Sequence, residues 1–180
     1  VVKTAQVILN RMEISAGDLQ KIMSINPQLV FAFGSTKFFT DSKFLASLAH
    51  KLPNTHIVGC STAGEISSLG IYDGTLVLTS VHFEKARVRV HCVPHQGLGH
   101  SMTAGEKLGA ELNAADLKGL LVLAPGTNIN GDSLIQGLQS KLAKGTTITG
   151  GLAGDGGQFQ KTYSICNDKI SSDIALAVGF

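Results

Sequence analysis

The sequence predicts an α/β fold, in which a mixed parallel and antiparallel sheet carries helices packed on its faces, within a single domain. Two observations lead to this class. Short apolar runs of strand length alternate along the chain with segments of helical periodicity. The length of 180 residues suits one hydrophobic core, and a hydrophobic content of 43% supplies the side chains that fill it.

The first half of the chain predicts a βαβ unit. Leu29–Ser35 is a continuous apolar run closed by Gly-Ser, which is typical of a strand buried on both faces. Thr40 or Asp41 supplies the N-cap of a helix that extends to about His50, and His56–Cys60 forms the next strand. Two strands joined by one helix over so short a span predict a right-handed crossover and parallel pairing.

The middle of the chain predicts an antiparallel hairpin at the sheet edge. Its strands are Thr75–Val81 and Ala86–Val93, which are separated only by a short polar link. In the second strand Val88, Val90 and Cys92 alternate with polar residues. One face of this strand is therefore expected to contact solvent.

The second half predicts further strands and helices in alternation. A helix is expected from about Ser101 to Asn113, a buried strand at 119–124 and a helix that begins at 131–133. The last third is Gly-rich at 150–157 and closes with two strand candidates, Thr162–Cys166 and Ile174–Phe180. The short link between these two strands predicts a second hairpin.

Composition argues against several classes of function. The 15 basic and 13 acidic residues give a net charge of +2, and the basic residues are scattered singly, so no nucleic-acid surface is expected. Apolar runs are far shorter than the ~20 residues of a membrane span, so no membrane partner is expected. Three widely spaced cysteines and a first segment unlike a signal peptide indicate the reducing cytoplasm.

Small, hydroxyl-rich loops follow several of the predicted buried strands. In open α/β sheets ligands bind beyond the carboxyl ends of strands, where backbone N–H groups are free. These loops are therefore predicted to line one polar pocket, in which Glu65 or Asp155 would bind an ammonium group. The alternative is that each loop is an ordinary strand exit with capping residues. The candidate ligand-binding residues are Ser35, Ser61, Thr62, Glu65, Thr127, Asn128 and Asp155.

Ser61 offers an alternative function, because Gly59–Ala63 approximates the G-x-S-x-G turn of serine hydrolases. Such a serine needs a histidine and an acid, and no spacing in the chain singles out either. The long helix that should follow is also missing from the pattern. A serine-type hydrolase using Ser61 is the second hypothesis, and no catalytic residue is assigned in the first.

A group of histidines lies near Cys92. A zinc site would need the loop to fold back, because the adjacent His91 and Cys92 point to opposite faces of a strand. No metal site is therefore predicted. A single histidine that binds haem needs no particular spacing, so the spacing of these residues neither supports nor excludes haem.

Three stretches together resemble the FIST family: His56–Ile66, which contains G-C-S-T-A-G-E, then Asp73-Gly74 before a strand, then Gly150–Asp155. The resemblance covers nearly the whole chain, residues 1–180, and is to the N-terminal half of that domain, the C-terminal half being absent here. It implies a cytoplasmic sensory domain rather than an enzyme. It also implies a small ligand such as an amino acid, a signalling partner such as a histidine kinase, and in some members haem that senses nitric oxide. If haem is bound here, the candidate ligands are His91, His95 and His100, which lie in or near an exposed loop.

Overall fold

The computed structural model describes residues 1–180, except for the side chain of Ser42. The strands are β1 Val2–Leu9, β2 Leu29–Gly34, β3 His56–Ser61, β4 Glu65–Ser67, β5 Gly70–Tyr72, β6 Leu76–Phe83, β7 Arg89–Pro94, β8 Gly119–Ala124, β9 Thr147–Leu152, β10 Ser164–Cys166, β11 Lys169–Ser171 and β12 Ile174–Gly179. The helices are α1 Ala16–Met23, α2 Lys37–Thr40, α3 Ser42–Lys51, α4 Ser101–Leu112 and α5 Gly131–Lys141, with a 3₁₀ turn at Leu98–His100.

The strands form two mixed sheets and a small hairpin. The first sheet has the order β1-β6-β2-β3-β10-β11, the second has β7-β12-β8-β9, and β4 pairs with β5 alone. Each large sheet contains one parallel pair, β2–β3 or β8–β9, whose strands are joined through helices. The predicted α/β class and mixed strand pairing are confirmed, and the sheet is divided in two.

Side-chain alternation along the strands builds four layers, in the order helix, sheet, sheet, helix. Strand β12 shows the principle, since successive side chains of a strand point to opposite faces. Its Ala175 and Ala177 pack in the cluster with α4 and α5, whereas Leu176 and Val178 pack against the first sheet. A third cluster lies between α1–α3 and the outer face of the first sheet.

Helices α4 and α5 approach so closely that their backbones touch. A Cβ atom at Gly105 would lie 2.1 Å from the carbonyl oxygen of Leu134, and one at Gly137 would lie 2.1 Å from that of Met102. Real Cβ atoms never approach so near, so these two glycines set the distance between the helices. Helix α4 covers the second sheet through Leu108 and Leu112, as its periodicity predicts.

Two predicted hairpins are wrong in their partners. Strand β6 pairs with β1 and β2 in the first sheet, whereas β7 pairs with β12 in the second. The alternation in β7 is real, since Val88, Val90 and Cys92 face the layer between the sheets. Alternation identifies a buried face but does not say which sheet provides it. Strand β10 likewise pairs with β11 rather than with β12.

The helices in the described part of the chain are too short or too polar to cross a bilayer.

Candidate functional site

The loops that follow β2, β3, β8 and β9 meet at one edge of the structure. We call this meeting point the strand-end junction, which comprises residues 34–36, 61–65, 125–130 and 153–155. Three backbone hydrogen bonds join its parts: Thr62 N–H to Gly34 O at 2.9 Å, Gly154 N–H to Ser61 O at 2.8 Å, and Ala153 N–H to Ala124 O at 2.8 Å. The second of these bonds connects the two sheets directly.

Ser61 is completely buried within the junction. Its Oγ accepts a hydrogen bond from the N–H of Tyr163 at 2.9 Å, and its own N–H donates to the Tyr163 carbonyl at 2.9 Å. Among the described residues no histidine or carboxylate is hydrogen-bonded to Ser61 Oγ. In this conformation Ser61 connects β3 to the segment that enters β10.

Glu65 is also buried, with 2% of its surface exposed. Its carboxylate accepts three hydrogen bonds: from Thr62 Oγ1 at 2.7 Å, from Thr75 N–H at 2.9 Å and from Thr75 Oγ1 at 3.0 Å. A buried carboxylate is tolerated when donors of this kind replace water. The side chain therefore ties the loop after β3 to the residue that enters β6.

Asp155 organises the loop that follows the junction. Its carboxylate accepts hydrogen bonds from the backbone N–H groups of Phe159 at 2.9 Å, Gln160 at 2.7 Å and Lys161 at 3.1 Å. These bonds, led by that from Gln160, lower the pKa of Asp155 although burial opposes them. The loop holds Phe159 at φ 54° with 85% of its surface exposed.

The other four predicted ligand residues retain accessible surface. Ser35, Thr62 and Thr127 are half-buried, and Asn128 is exposed with a left-handed φ of 58°. The seven predicted residues lie on the four loops of the junction. Ser61, Thr62, Glu65 and Asp155 form internal hydrogen bonds, whereas Ser35, Thr127 and Asn128 keep accessible surface.

The three candidate haem ligands differ in accessibility. His95 is 5% exposed, its Nε2 lies 3.4 Å from Ser101 Oγ, and burial lowers its pKa. His91 is half-buried on β7. His100 is exposed, with Nδ1 3.1 Å from the Gln96 carbonyl. Of these three residues His95 is the most buried and His100 the most exposed. In the described residues no three or more His, Cys, Asp or Glu side chains are grouped to hold a metal ion.

A groove that the sequence did not predict lies beside the junction. It has a volume of about 480 Å³ and runs between the edge strand β9 and helix α5; we call it the β9–α5 groove. Its lining in the described residues carries no charged side chain and comprises Val122, Ala124, Gly131, Leu134, Ile135, Gln139, Thr146, Ile148, Thr149, Gly150, Gly151 and Leu152.

The groove adjoins the junction because three of its lining residues are element ends. Ala124 and Leu152 are the last residues of the parallel strands β8 and β9, and Gly131 is the first residue of α5. The carboxyl ends of parallel strands are the usual place for ligands in α/β proteins. Gly150 and Gly151 line the groove and belong to the Gly-rich segment at 150–157, which is the sequence signal for this part of the chain.

The four layers and the junction define a class of α/β domain in which two sheets are tied together at their strand ends. The chain belongs to the FIST family, since the FIST N domain matches residues 28–180. This confirms the resemblance carried by the G-C-S-T-A-G-E segment. Domains of this family are small-ligand-binding sensory modules of signal transduction and are not typically enzymes. No curated protein shows significant similarity to the chain.

Proposed function

We propose that this domain senses a small molecule bound in the β9–α5 groove and passes the signal to a partner protein, such as a histidine kinase, in the cytoplasm. The observation that carries this proposal is the uncharged groove of about 480 Å³ beside the strand-end junction. Its volume lies within the range of small-molecule sites. The three free cysteines support a reducing compartment.

The lining indicates the chemistry of the ligand. Apolar side chains form most of it, and Gln139, Thr146 and Thr149 add an amide and two hydroxyl groups. This combination suits a molecule with an apolar body and one or two hydrogen-bonding groups. A free amino acid would need a partner for its ammonium group, and the internal hydrogen bonds of Glu65 and Asp155 already occupy those carboxylates. An uncharged amino-acid derivative therefore fits better than the zwitterion.

The junction supplies a route for the signal. Strand β9 ends at Leu152, and two residues later Gly154 N–H bonds the Ser61 carbonyl of the first sheet. A ligand that shifts β9 therefore acts on a hydrogen bond between the sheets and on the loop that Asp155 holds. The required property is a different affinity for two arrangements of this junction.

Haem defines a second candidate ligand through His100. The exposed ring is flanked by Leu98 and Met102, which are 59% and 45% exposed. Apolar surface beside an accessible imidazole favours haem at this place over His91 or His95. When bound through a histidine, haem supplies an iron that takes up nitric oxide; here His100 would hold it.

A thermal-shift experiment tests the proposal with three probes: N-acetylleucine amide, leucine and haem. A probe at 100 times its Kd stabilises the fold by about 2.7 kcal/mol, which is readily visible for a domain of this size. We expect the amide to raise the midpoint of unfolding more than leucine does. Haem should give a Soret absorption band that His100→Ala removes. A colourless protein after haem addition would exclude that candidate.

A matched pair of variants locates the amide site. A Cβ at Gly131 would lie 4.0 Å from the Leu152 side chain, so Gly131→Leu adds bulk beside the groove without a close contact at Cβ. A Cβ at Gly99 meets nothing within 4 Å, so Gly99→Leu is the control on open surface. We expect only Gly131→Leu to abolish the shift. An equal shift in both variants would reject the groove as the site.

A further inference from the structure

Cys92 and Cys166 come from different sheets and pack in the same layer between them. Cys92 lies on β7 opposite Leu176, in the second sheet. Cys166 lies on β10 opposite Val58, in the first sheet. Cys166, Val58 and Leu176 belong to the inter-sheet cluster, and Cys92 packs against it. The two thiols therefore lie in one layer, on strands β7 and β10 that pack against each other.

The two thiols differ in exposure and in acidity. Cys92 is half-buried at the edge of the second sheet, whereas Cys166 is only 4% exposed. A hydrogen bond from the Cys166 thiol lowers the pKa of Cys92 to about 6, burial and Asp168 oppose this effect, and Lys169 adds to it. The same contact raises the pKa of Cys166, as does its burial. Cys92 is therefore both the more accessible and the more acidic thiol of the pair.

Cys60 provides an internal comparison. It lies in the same inter-sheet layer, opposite Ser164 on β10, and is also 4% exposed. Burial raises the pKa of its thiol to about 12. Reaction with an oxidant requires the thiolate and access from solvent, so Cys60 is expected to stay inert. Comparison with Cys60 therefore separates the reactivity of the Cys92–Cys166 pair from the reactivity of any thiol in the core.

We propose that Cys92 and Cys166 form a peroxide-oxidised thiol pair whose disulfide links the two sheets. The Cys92 thiolate attacks one oxygen of hydrogen peroxide, and the O–O bond breaks. The departing hydroxide takes a proton from the solvent and becomes water. Cys92 is then a sulfenic acid. The Cys166 thiol gives up its proton and attacks the Cys92 sulfur, the S–O bond breaks, and the departing hydroxide takes that proton as water. Two thiols are oxidised and one peroxide is reduced to two waters.

The disulfide adds a second connection between the sheets, away from the strand-end junction. Cys166 is opposite Val58, near the start of β3, whereas the junction follows the end of that strand at Ser61. The covalent link restricts the conformations of the unfolded chain, and in the fold it holds the two sheets together at this end. We therefore expect the oxidised domain to unfold at a higher temperature than the reduced domain. The proposal does not depend on the ligand groove.

Mass spectrometry of the whole 180-residue chain tests the pair. The reduced protein is treated with hydrogen peroxide at pH 7, quenched, alkylated and digested. We expect one intramolecular Cys92–Cys166 disulfide, with Cys60 recovered as the alkylated thiol. Peroxide should oxidise Cys92 before Cys60, because the lowered pKa of Cys92 leaves more of its thiol in the reactive thiolate form. Return of the alkylated pair after dithiothreitol treatment shows that the change is reversible.

Three variants sharpen the test. Cys166→Ser should stop the reaction at the sulfenic acid, seen as the gain of one oxygen at Cys92 trapped by dimedone. Cys92→Ser should form no disulfide, and Cys60→Ser should form the same disulfide as the parent chain. A disulfide that includes Cys60, one that joins two chains, or no oxidation of Cys92 in the parent chain would overturn the proposal. The parent-chain digest decides this even if a variant fails to fold.

Discussion

Substitution of Glu65 tests whether its buried carboxylate stabilises the fold. Glu65→Ala removes the acceptor of three hydrogen bonds and leaves the N–H of Thr75 buried without a partner. Hydrogen bonds to a charged group contribute about 1.5–3 kcal/mol each, and an orphaned buried donor adds a penalty of about 1–3 kcal/mol. The three bonds share one carboxylate and do not add fully. We expect the free energy of unfolding to fall by about 3–5 kcal/mol.

Urea unfolding followed by circular dichroism measures this loss. The control is Glu111→Ala, the same substitution at an exposed position of α4, which should change the free energy of unfolding by no more than about 0.5 kcal/mol. A total stability of about 5–15 kcal/mol makes the expected difference easy to resolve. A loss at Glu65 as small as that at Glu111 would refute the structural role of this carboxylate.

Four further substitutions test other features of the structure. Ser61→Ala orphans the Tyr163 N–H and should lower stability by about 1–3 kcal/mol, without changing any ester hydrolysis by the purified protein. Gly105→Ala should lower stability by about 1–3 kcal/mol in urea unfolding, because its Cβ overlaps the Leu134 carbonyl, whereas Gly99→Ala should not. Because the pKa of Asp155 is lowered in the fold, its ionised form stabilises the fold above the unfolded pKa of about 3.8, and this stability is lost as the pH falls through the folded pKa. Asp155→Asn should therefore weaken the fall of the free energy of unfolding at acid pH. The lowered pKa of His95 means that the unfolded chain takes up a proton near pH 6.5 before the fold does, so stability falls as the pH drops below that value, and His95→Gln should remove this step.

The sequence predicted the elements whose signals are local. Asp41, one of the two predicted N-caps, caps α3 by accepting from Lys43 N–H, and α5 begins at Gly131, within the predicted start at 131–133. The parallel pairing of β2 with β3 follows from the length of the connection between them. These features depend on a few neighbouring residues, so one chain is enough to predict them.

The division into two sheets was not predictable in this way. Strand β12 looks like one buried strand, yet Leu176 and Val178 face another sheet while Ala175 and Ala177 face helices. Small residues on one face and larger ones on the other fit both arrangements. Strand β9 was missed because its Gly150-Gly151 pair lowers the strand propensity of an edge strand.

The loops after β2, β3 and β9 meet, whereas their role in binding a ligand stays a prediction. Glycine and hydroxyl residues after buried strands do converge, as the loops bonded through Ser61 and Thr62 show. Whether a polar side chain there faces a ligand or its own backbone depends on residues far along the chain. Tyr163, which bonds Ser61, is separated from it by 102 positions. Sequence spacing carries no information on such a contact.

The central claim is that an uncharged small molecule binds in the β9–α5 groove. Its most direct test is a nitrogen-15 NMR titration of the domain with N-acetylleucine amide. We expect shifts at the backbone amides of Gly131, Thr149 and Gly151, extending to Gly154 at the junction, and the loss of these shifts in Gly131→Leu. Saturable shifts confined to other parts of the chain, or shifts that Gly131→Leu leaves unchanged, would contradict it.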